Sequence, residues 1–172
     1  MPPMTIPDIK SWLYERTLAE LAGFGCEVVE TQSSPDKPWG AYVRIADDSI
    51  RNFYRAYWQG VDVPEPGPEF KLAPKVLIVA PEARLSLQYH NRRSEHWRVM
   101  EGPVKVVHGT DAEHLDETIA QAGEVIRLAQ GELHRLVGLS QWARIAEIWQ
   151  HTDLSAPSNE EDIVRVQDDY GR

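Results

Sequence analysis

The spacing of hydrophobic positions changes character near residue 72. Before it, PDIKSWLYERTLAELAGFG sets Ile9, Trp12, Leu13, Leu18, Leu21 and Phe24 roughly along one helical face, and Gly23 and Gly25 supply stop signals. This predicts an N-terminal amphipathic helix. A second helix is expected over DDSIRNFYRAYWQG, capped by Asp47 or Asp48 and ended at Gly60. Its aromatic residues Phe53, Tyr54, Tyr57 and Trp58 are expected to pack on the core rather than around a cofactor. The following VDVPEPGPEF reads as a loop, because proline has no amide hydrogen to give a sheet.

After residue 72 the texture is that of short strands. KVLIVA, RLSLQYH, EHWRVMEG, PVKVVHG, GEVIRLA, HRLVGL and ARIAEIWQ are rich in Val, Ile, Leu and Trp and are separated by Gly, Pro or polar clusters. Strands at this density without intervening helices predict an antiparallel sandwich or small barrel. The tail SNEEDIVRVQDDYGR is acidic, with Ile163 and Val166 as its only evident core positions.

Alternation also places candidate chemistry. Residues two apart on a strand share a face, so Ser86, Gln88 and His90 point one way and Leu85, Leu87 and Tyr89 the other. Glu95 can re-enter opposite His90 after the NRRS turn, and His134 follows a Gly-containing turn later in the chain. Gln88, His90, Glu95 and His134 thus form a candidate site for one divalent metal, two nitrogens and two oxygens suiting Zn²⁺, Mn²⁺ or Fe²⁺. The competing reading is a hydrogen-bonded His–Glu pair, the commoner fate of such neighbours on a strand.

Composition narrows the setting. At 172 residues the chain is long enough for one sizeable core, and its net charge of −9 argues against nucleic acid or an anionic membrane as partner. The single cysteine, Cys26, excludes an internal disulfide, and the charged first 25 residues lack the apolar core of a signal peptide. VLIVA at 76–80 is too short to span a bilayer. A cytoplasmic location is expected.

Two motifs raise the metal reading above the bland one: Gln-x-His-x4-Glu-x6-Gly at 88–102 and Gly-x5-Ala-x-Gly-x2-His-x3-Gly at 123–138. They resemble the paired signatures of cupins, with Gln88 where His is usual and Ala129 where Pro is usual. The resemblance implies an all-β, double-stranded β-helix (jelly-roll) barrel with one metal inside. KPWGAY at 37–42, SLQYHNRRSEHWRV at 86–99, GELHRL at 131–136 and EEDIVRVQDDYGR at 160–172 further resemble the C-terminal isomerase domain of type II phosphomannose isomerases. On this basis residues 36–172 form the barrel, with an insertion at 47–72 and a tail at 155–172, and residues 1–35 form an N-terminal helical extension. The family's nucleotidyltransferase half, with its Gly-rich nucleotide loop, has no counterpart in these residues, so GDP-mannose synthesis is not expected of them.

What the resemblance implies for function is metal-dependent isomerisation of an aldose phosphate to a ketose phosphate, with mannose 6-phosphate as reference substrate and Zn²⁺ as first candidate (Mn, Fe, Co or Ni as others). Arg93 matches an arginine to which the family gives a catalytic or substrate-binding role. Arg135, Tyr170 and Arg172 are candidate substrate contacts, and close, charge-assisted bonds from Arg93, Arg135 or Arg172 are expected to hold a substrate phosphate. The base stays open among His96, Glu101, Glu147 or none of them. His108, His114 and His151 fall outside both motifs and are expected at the surface. The partner is a sugar or sugar phosphate, with a homodimer as candidate assembly. The alternatives are another cupin enzyme, acting on a different sugar or as an oxygenase, and a non-catalytic sugar-binding module. The aromatic helix of 47–72 is expected to line or narrow the barrel mouth.

Overall fold

A computed structural model describes residues 6–69 and 71–172. Helix α1 (Ile6–Gly23) is followed by strands β1 (Ser34–Lys37) and β2 (Gly40–Arg44), then helix α2 (Ile50–Tyr57). The remaining strands are β3 (Leu72–Val79), β4 (Leu87–Tyr89), β5 (Arg93–Glu101), β6 (Val104–Asp111), β7 (His114–Ala120), β8 (Val125–Leu128), β9 (Leu133–Gly138), β10 (Ala143–His151) and β11 (Val164–Gln167). They make two antiparallel sheets, ordered β1-β2-β3-β10-β5-β8 and β11-β4-β9-β6-β7. The expected strands are all present. β1, β2, β7 and β11 were not expected from the pattern.

The six-stranded sheet is apolar on both faces, for two different reasons. Along β3, Leu77 and Val79 point into the barrel and join Trp97, Val99, Val106, Leu136 and Ile145. Val76 and Ile78 alternate outward, where the helices cover them. Strand β3 is consequently buried at every position. Its outer cover consists of Leu21 from α1 and Phe53, Tyr57 and Trp58 from α2, packed against Val43, Ile45, Val76, Ala146 and Ile148.

Three expectations change here. The aromatic helix of 47–72 does not line the barrel mouth: its rings are spent on the outer face of the sheet. Neither aspartate caps α2 with its side chain; Asp47 instead pairs with Arg44 at 2.6 Å, and the residue before the helix is Ser49. In α1, Leu13 and Leu21 are buried, but Trp12, and Phe24 just past the helix end, lie outside the core. The buried stripe is the narrower Leu13, Thr17, Leu21 series at i, i+4, i+8.

The β1–β2 turn depends on one glycine. Gly40 has φ 143°, and a Cβ there would lie 1.9 Å from the carbonyl oxygen of Ile78 on the neighbouring strand. Only glycine lets Lys37-Pro38-Trp39 fold onto β3 this closely. The tail does more than cap the barrel, since β11 pairs with β4 and extends the five-stranded sheet. No described helix is long and apolar enough to cross a membrane.

Candidate metal centre

His90, Glu95 and His134 converge inside the barrel although they come from both sheets. Their ligand atoms lie within 4.8 Å of one another and all three side chains are buried. Glu95 Oε1 is 3.0 Å from His90 Nε2, and Glu95 Oε2 is 3.5 Å from His134 Nε2. Gln88 sits directly across from His134 in the β4–β9 pairing. Its Nε2 lies 3.4 Å from His90 Nε2, and its Oε1 accepts the Ser86 hydroxyl at 2.6 Å. Ser86, Gln88 and His90 therefore share one face, as alternation requires.

The tautomers suit this cluster to holding a metal. His90 Nδ1 donates to the Asp162 carbonyl at 2.6 Å, and His134 Nδ1 donates to the Glu132 carbonyl at 2.9 Å. With each Nδ1 carrying the proton, each Nε2 presents a lone pair to Glu95. His134 Nε2 is buried with no hydrogen-bond partner. A buried, unpartnered imidazole nitrogen beside a carboxylate is a costly arrangement for a plain structural pair. The donor set fits a divalent ion held by His90, Glu95 and His134, with a rotated Gln88 amide as fourth ligand.

Electrostatics around Glu95 point the same way. Burial alone would raise its carboxyl, yet the Arg93 guanidinium leads the contacts that hold it well below the ordinary carboxylate range. Arg93 Nε donates to Glu95 at 2.8 Å, and Nη2 lies 3.2 Å from His90 Nε2. Its Nη1 donates to Ser158 Oγ at 2.9 Å and to the Asn159 carbonyl at 3.0 Å, while the guanidinium stacks 3.6 Å over Trp149. Arg93 is thus fully engaged with the protein.

Glu147 is the second buried carboxyl in the cavity. The indoles of Trp97 and Trp149 donate to its Oε1 at 3.3 and 3.2 Å, and Trp97 is shared with Glu95 Oε2 at 3.1 Å. Burial and the nearby Glu95 charge push Glu147 up to about 8, against the opposing pull of Lys75. Two carboxyls held apart in this way are a common acid–base arrangement.

Not every candidate joins the cluster. His96 alternates to the other face of β5, where its Nε2 meets Gln150 Oε1 at 2.8 Å; it lies outside the cavity lining. Glu101 is tied to Arg144 at 3.0 Å. Arg135 is buried at the cavity edge with its guanidinium turned to Gln167 at 3.3 Å. Arg172 also borders the cavity, paired with Asp168 at 2.9 Å and 5.5 Å over the Tyr170 ring; Tyr170 itself packs against the barrel core. His108 and His114 pair with Glu132 and Asp111 outside the site. His151 is buried, contrary to expectation, and accepts the Ser158 amide at 2.9 Å.

Asp162 is one residue that sequence reasoning missed. It is buried; its carbonyl fixes His90, and its carboxylate accepts the amides of Asn91 at 2.9 Å and Arg92 at 3.0 Å. No local pattern signals this, because the partners lie about seventy residues apart.

A small antiparallel barrel with two tautomer-fixed histidines and a glutamate converging in its interior is a cupin. The similarity to solved structures agrees: oxalate decarboxylase from Bacillus subtilis matches 80% of this chain and 30% of its own at a TM-score of 0.58 and 13% identity. CapF in complex with 3-isopropenyl-tropolone matches 83% of this chain and 34% of its own at a TM-score of 0.51 and 14% identity. At such identities the likeness shows the fold. Residues 46–168 match the family described as mannose-6-phosphate isomerase C-terminal, and the chain belongs to that family.

Curated relatives agree. The xanthan biosynthesis protein XanB of Xanthomonas campestris pv. campestris (strain B100) is 33% identical over 137 residues, 79% of this chain and 23% of its own. The alginate biosynthesis protein AlgA of Pseudomonas aeruginosa is 32% identical over 116 residues, 67% of this chain and 22% of its own. The chain therefore spans less than a quarter of the length of either relative.

Proposed function

We propose that the chain is a metal-dependent aldose–ketose isomerase of sugar phosphates, with mannose 6-phosphate as the reference substrate. The observation that carries this reading is the pair of imidazoles whose Nε2 lone pairs are fixed toward Glu95 by carbonyls at 2.6 and 2.9 Å. It is joined by Glu147 in the same cavity and by membership of the isomerase domain family. A divalent ion, Zn²⁺ first and Mn²⁺, Fe²⁺, Co²⁺ or Ni²⁺ as alternatives, would be held by His90, Glu95, His134 and Gln88 and would supply Lewis-acid stabilisation of the oxygens at C1 and C2.

The protein's own groups do the rest. Isomerisation takes a proton from C2 of the aldose and returns one to C1, so the site needs a proton carrier in reach of both carbons. Glu147 fills that role better than His96: it lines the cavity, and its carboxyl, raised to about 8, exchanges a proton near neutral pH. Trp97 and Trp149 fix its Oε1, so the carboxyl stays aimed while its charge changes. Arg93 orients Glu95 and closes the cavity floor against Trp149.

One observation favours a second reading, a non-catalytic sugar-binding module. Arg93 Nη2 already stands 3.2 Å from His90 Nε2, where a cation competes with metal. Following mannose 6-phosphate and a panel of aldoses, ketoses and their phosphates by NMR, with chelated protein reloaded with each metal in turn, separates the two. The isomerase reading predicts metal-restored interconversion of at least one pair. Sugar binding with no interconversion under any metal would favour the module.

A further inference from the structure

The isomerase reading requires a holder for the substrate's phosphate, and two of the arginines expected for that task are occupied. Arg93 is spent on Glu95, Ser158, Asn159 and Trp149, and Arg172 on Asp168. Arg135 keeps only long contacts to Gln167, at 3.3 and 3.5 Å, and its Nε is buried without a partner. Other cations also face the cavity. Lys75 lies on β3 directly across from Glu147 in the pairing with β10, on the inward-facing side with Leu77 and Val79. Its ammonium sits 4.4 Å over the Tyr42 ring and 5.3 Å from Trp149. Lys37 approaches the same Tyr42 ring at 5.7 Å. Arg165, on β11 across the mouth, lines the cavity and has no side-chain hydrogen bond or ion pair among the described residues.

Lys75 also has a telling partner. Its ammonium is 3.0 Å from Glu160 Oε1, a carboxylate delivered by the tail. The lysine is buried while Glu160 is half-exposed, so the acid is the member of the pair that can leave at little cost. The cavity beneath measures about 140 Å³, small for a ligand site, with Glu160 in its lining. A carboxylate on a buried ammonium at the mouth of an anion-processing cavity occupies the position a phosphate oxygen would take.

We propose that Lys75, flanked by Lys37 and Arg165, is the subsite for the phosphate monoester of the substrate, and that the phosphate takes the place of Glu160. This rests on the sugar-phosphate reading above. A dianionic phosphate gains more from two ammoniums and a guanidinium than a single carboxylate does, because each contact is charge-assisted. Glu160 lies two residues from Asp162, the brace of the candidate metal centre, so phosphate binding and the metal shell share one piece of chain.

The test is calorimetric titration of the zinc-loaded full chain with mannose 6-phosphate, mannose and inorganic phosphate, for wild type, Lys75→Met, Lys75→Arg and Glu160→Gln. Lys75→Met should weaken mannose 6-phosphate and inorganic phosphate at least tenfold and leave mannose unchanged, with Lys75→Arg restoring most of the loss. Glu160→Gln, which keeps a side chain of the same size at a half-exposed position, should tighten both phosphates severalfold. Unchanged phosphate affinity in Lys75→Met, or no tightening in Glu160→Gln, overturns the subsite, as does a wild type that binds neither phosphate. Mannose 6-phosphate turned over equally by wild type and Lys75→Met would sink the subsite and spare the isomerase reading. Lys75-dependent binding without turnover would do the reverse.

Discussion

The Nδ1 proton of His90 is donated to the backbone carbonyl of Asp162 over 2.6 Å, which ties the centre of the barrel to a tail segment more than seventy residues later. The same aspartate holds the Asn91 and Arg92 amides and the Ser158 hydroxyl, the last at 2.6 Å. The tail is therefore part of the candidate metal centre's support. Outer contacts of this kind commonly contribute ten- to a hundredfold in metal affinity. Asp162→Ala should accordingly weaken metal binding by about tenfold or more, measured by competition with a chromophoric chelator. An unchanged affinity would reduce Asp162 to a turn-former.

Arg93 gives a second expectation that differs from the sequence-based one. A phosphate-holding arginine would matter for phosphorylated substrates alone. In the structure its guanidinium binds Glu95, Ser158 and Asn159 and stacks on Trp149, so removing it uncovers a buried carboxylate. Arg93→Ala should lower the melting temperature and impair phosphorylated and free sugars alike, by about 2–4 kcal/mol in kcat/KM. A loss confined to phosphorylated sugars would restore the phosphate role.

Glu147 predicts a pH signature. Its folded-state value is raised to about 8 from the ordinary 4.5 of a glutamate. Between those values the unfolded chain has released a proton that the folded chain keeps, so stability falls as pH rises through this window and levels off above it. In chelated protein, Glu147→Gln should flatten the fall in melting temperature between about pH 5 and 8 relative to wild type. Parallel curves would place the titration elsewhere.

The last five residues are another test. A tail that merely covers the mouth could be removed without loss of stability. Here Asp169 binds Arg84 through two contacts of 2.8 and 3.0 Å, and Tyr170 packs against the barrel core. Deleting 168–172 should cost about 1–2 kcal/mol, mostly through Tyr170, and lower the melting temperature by a few degrees in a scanning experiment. No change would mark the segment as a free cover.

Much of this was readable from the chain. Period-two alternation put Ser86, Gln88 and His90 on one face, and the inward position of Glu147 is marked by its flanking Ile145 and Trp149 in ARIAEIWQ. Strand β7 escaped because it is a largely exposed edge without an apolar face, and β1 because it is short and contains Pro35. The helices were found, and Phe53, Tyr57 and Trp58 do pack on a core as expected. Only the mouth-lining expectation for the second helix fails, since nothing local tells those rings to choose the outer face of a sheet over its mouth. Asp162 and Lys75 were illegible for the same reason. Each acts through a partner some seventy or more residues away that only the closed barrel brings near.

The central claim is that His90, Glu95 and His134 hold one divalent ion. Elemental analysis of purified wild type, His90→Ala and His134→Ala, each reloaded after chelation and freed of excess metal, measures it directly. The expected result is about one metal per chain in wild type and a small fraction of that in either variant. Equal metal content in all three proteins, or none in wild type, would contradict it.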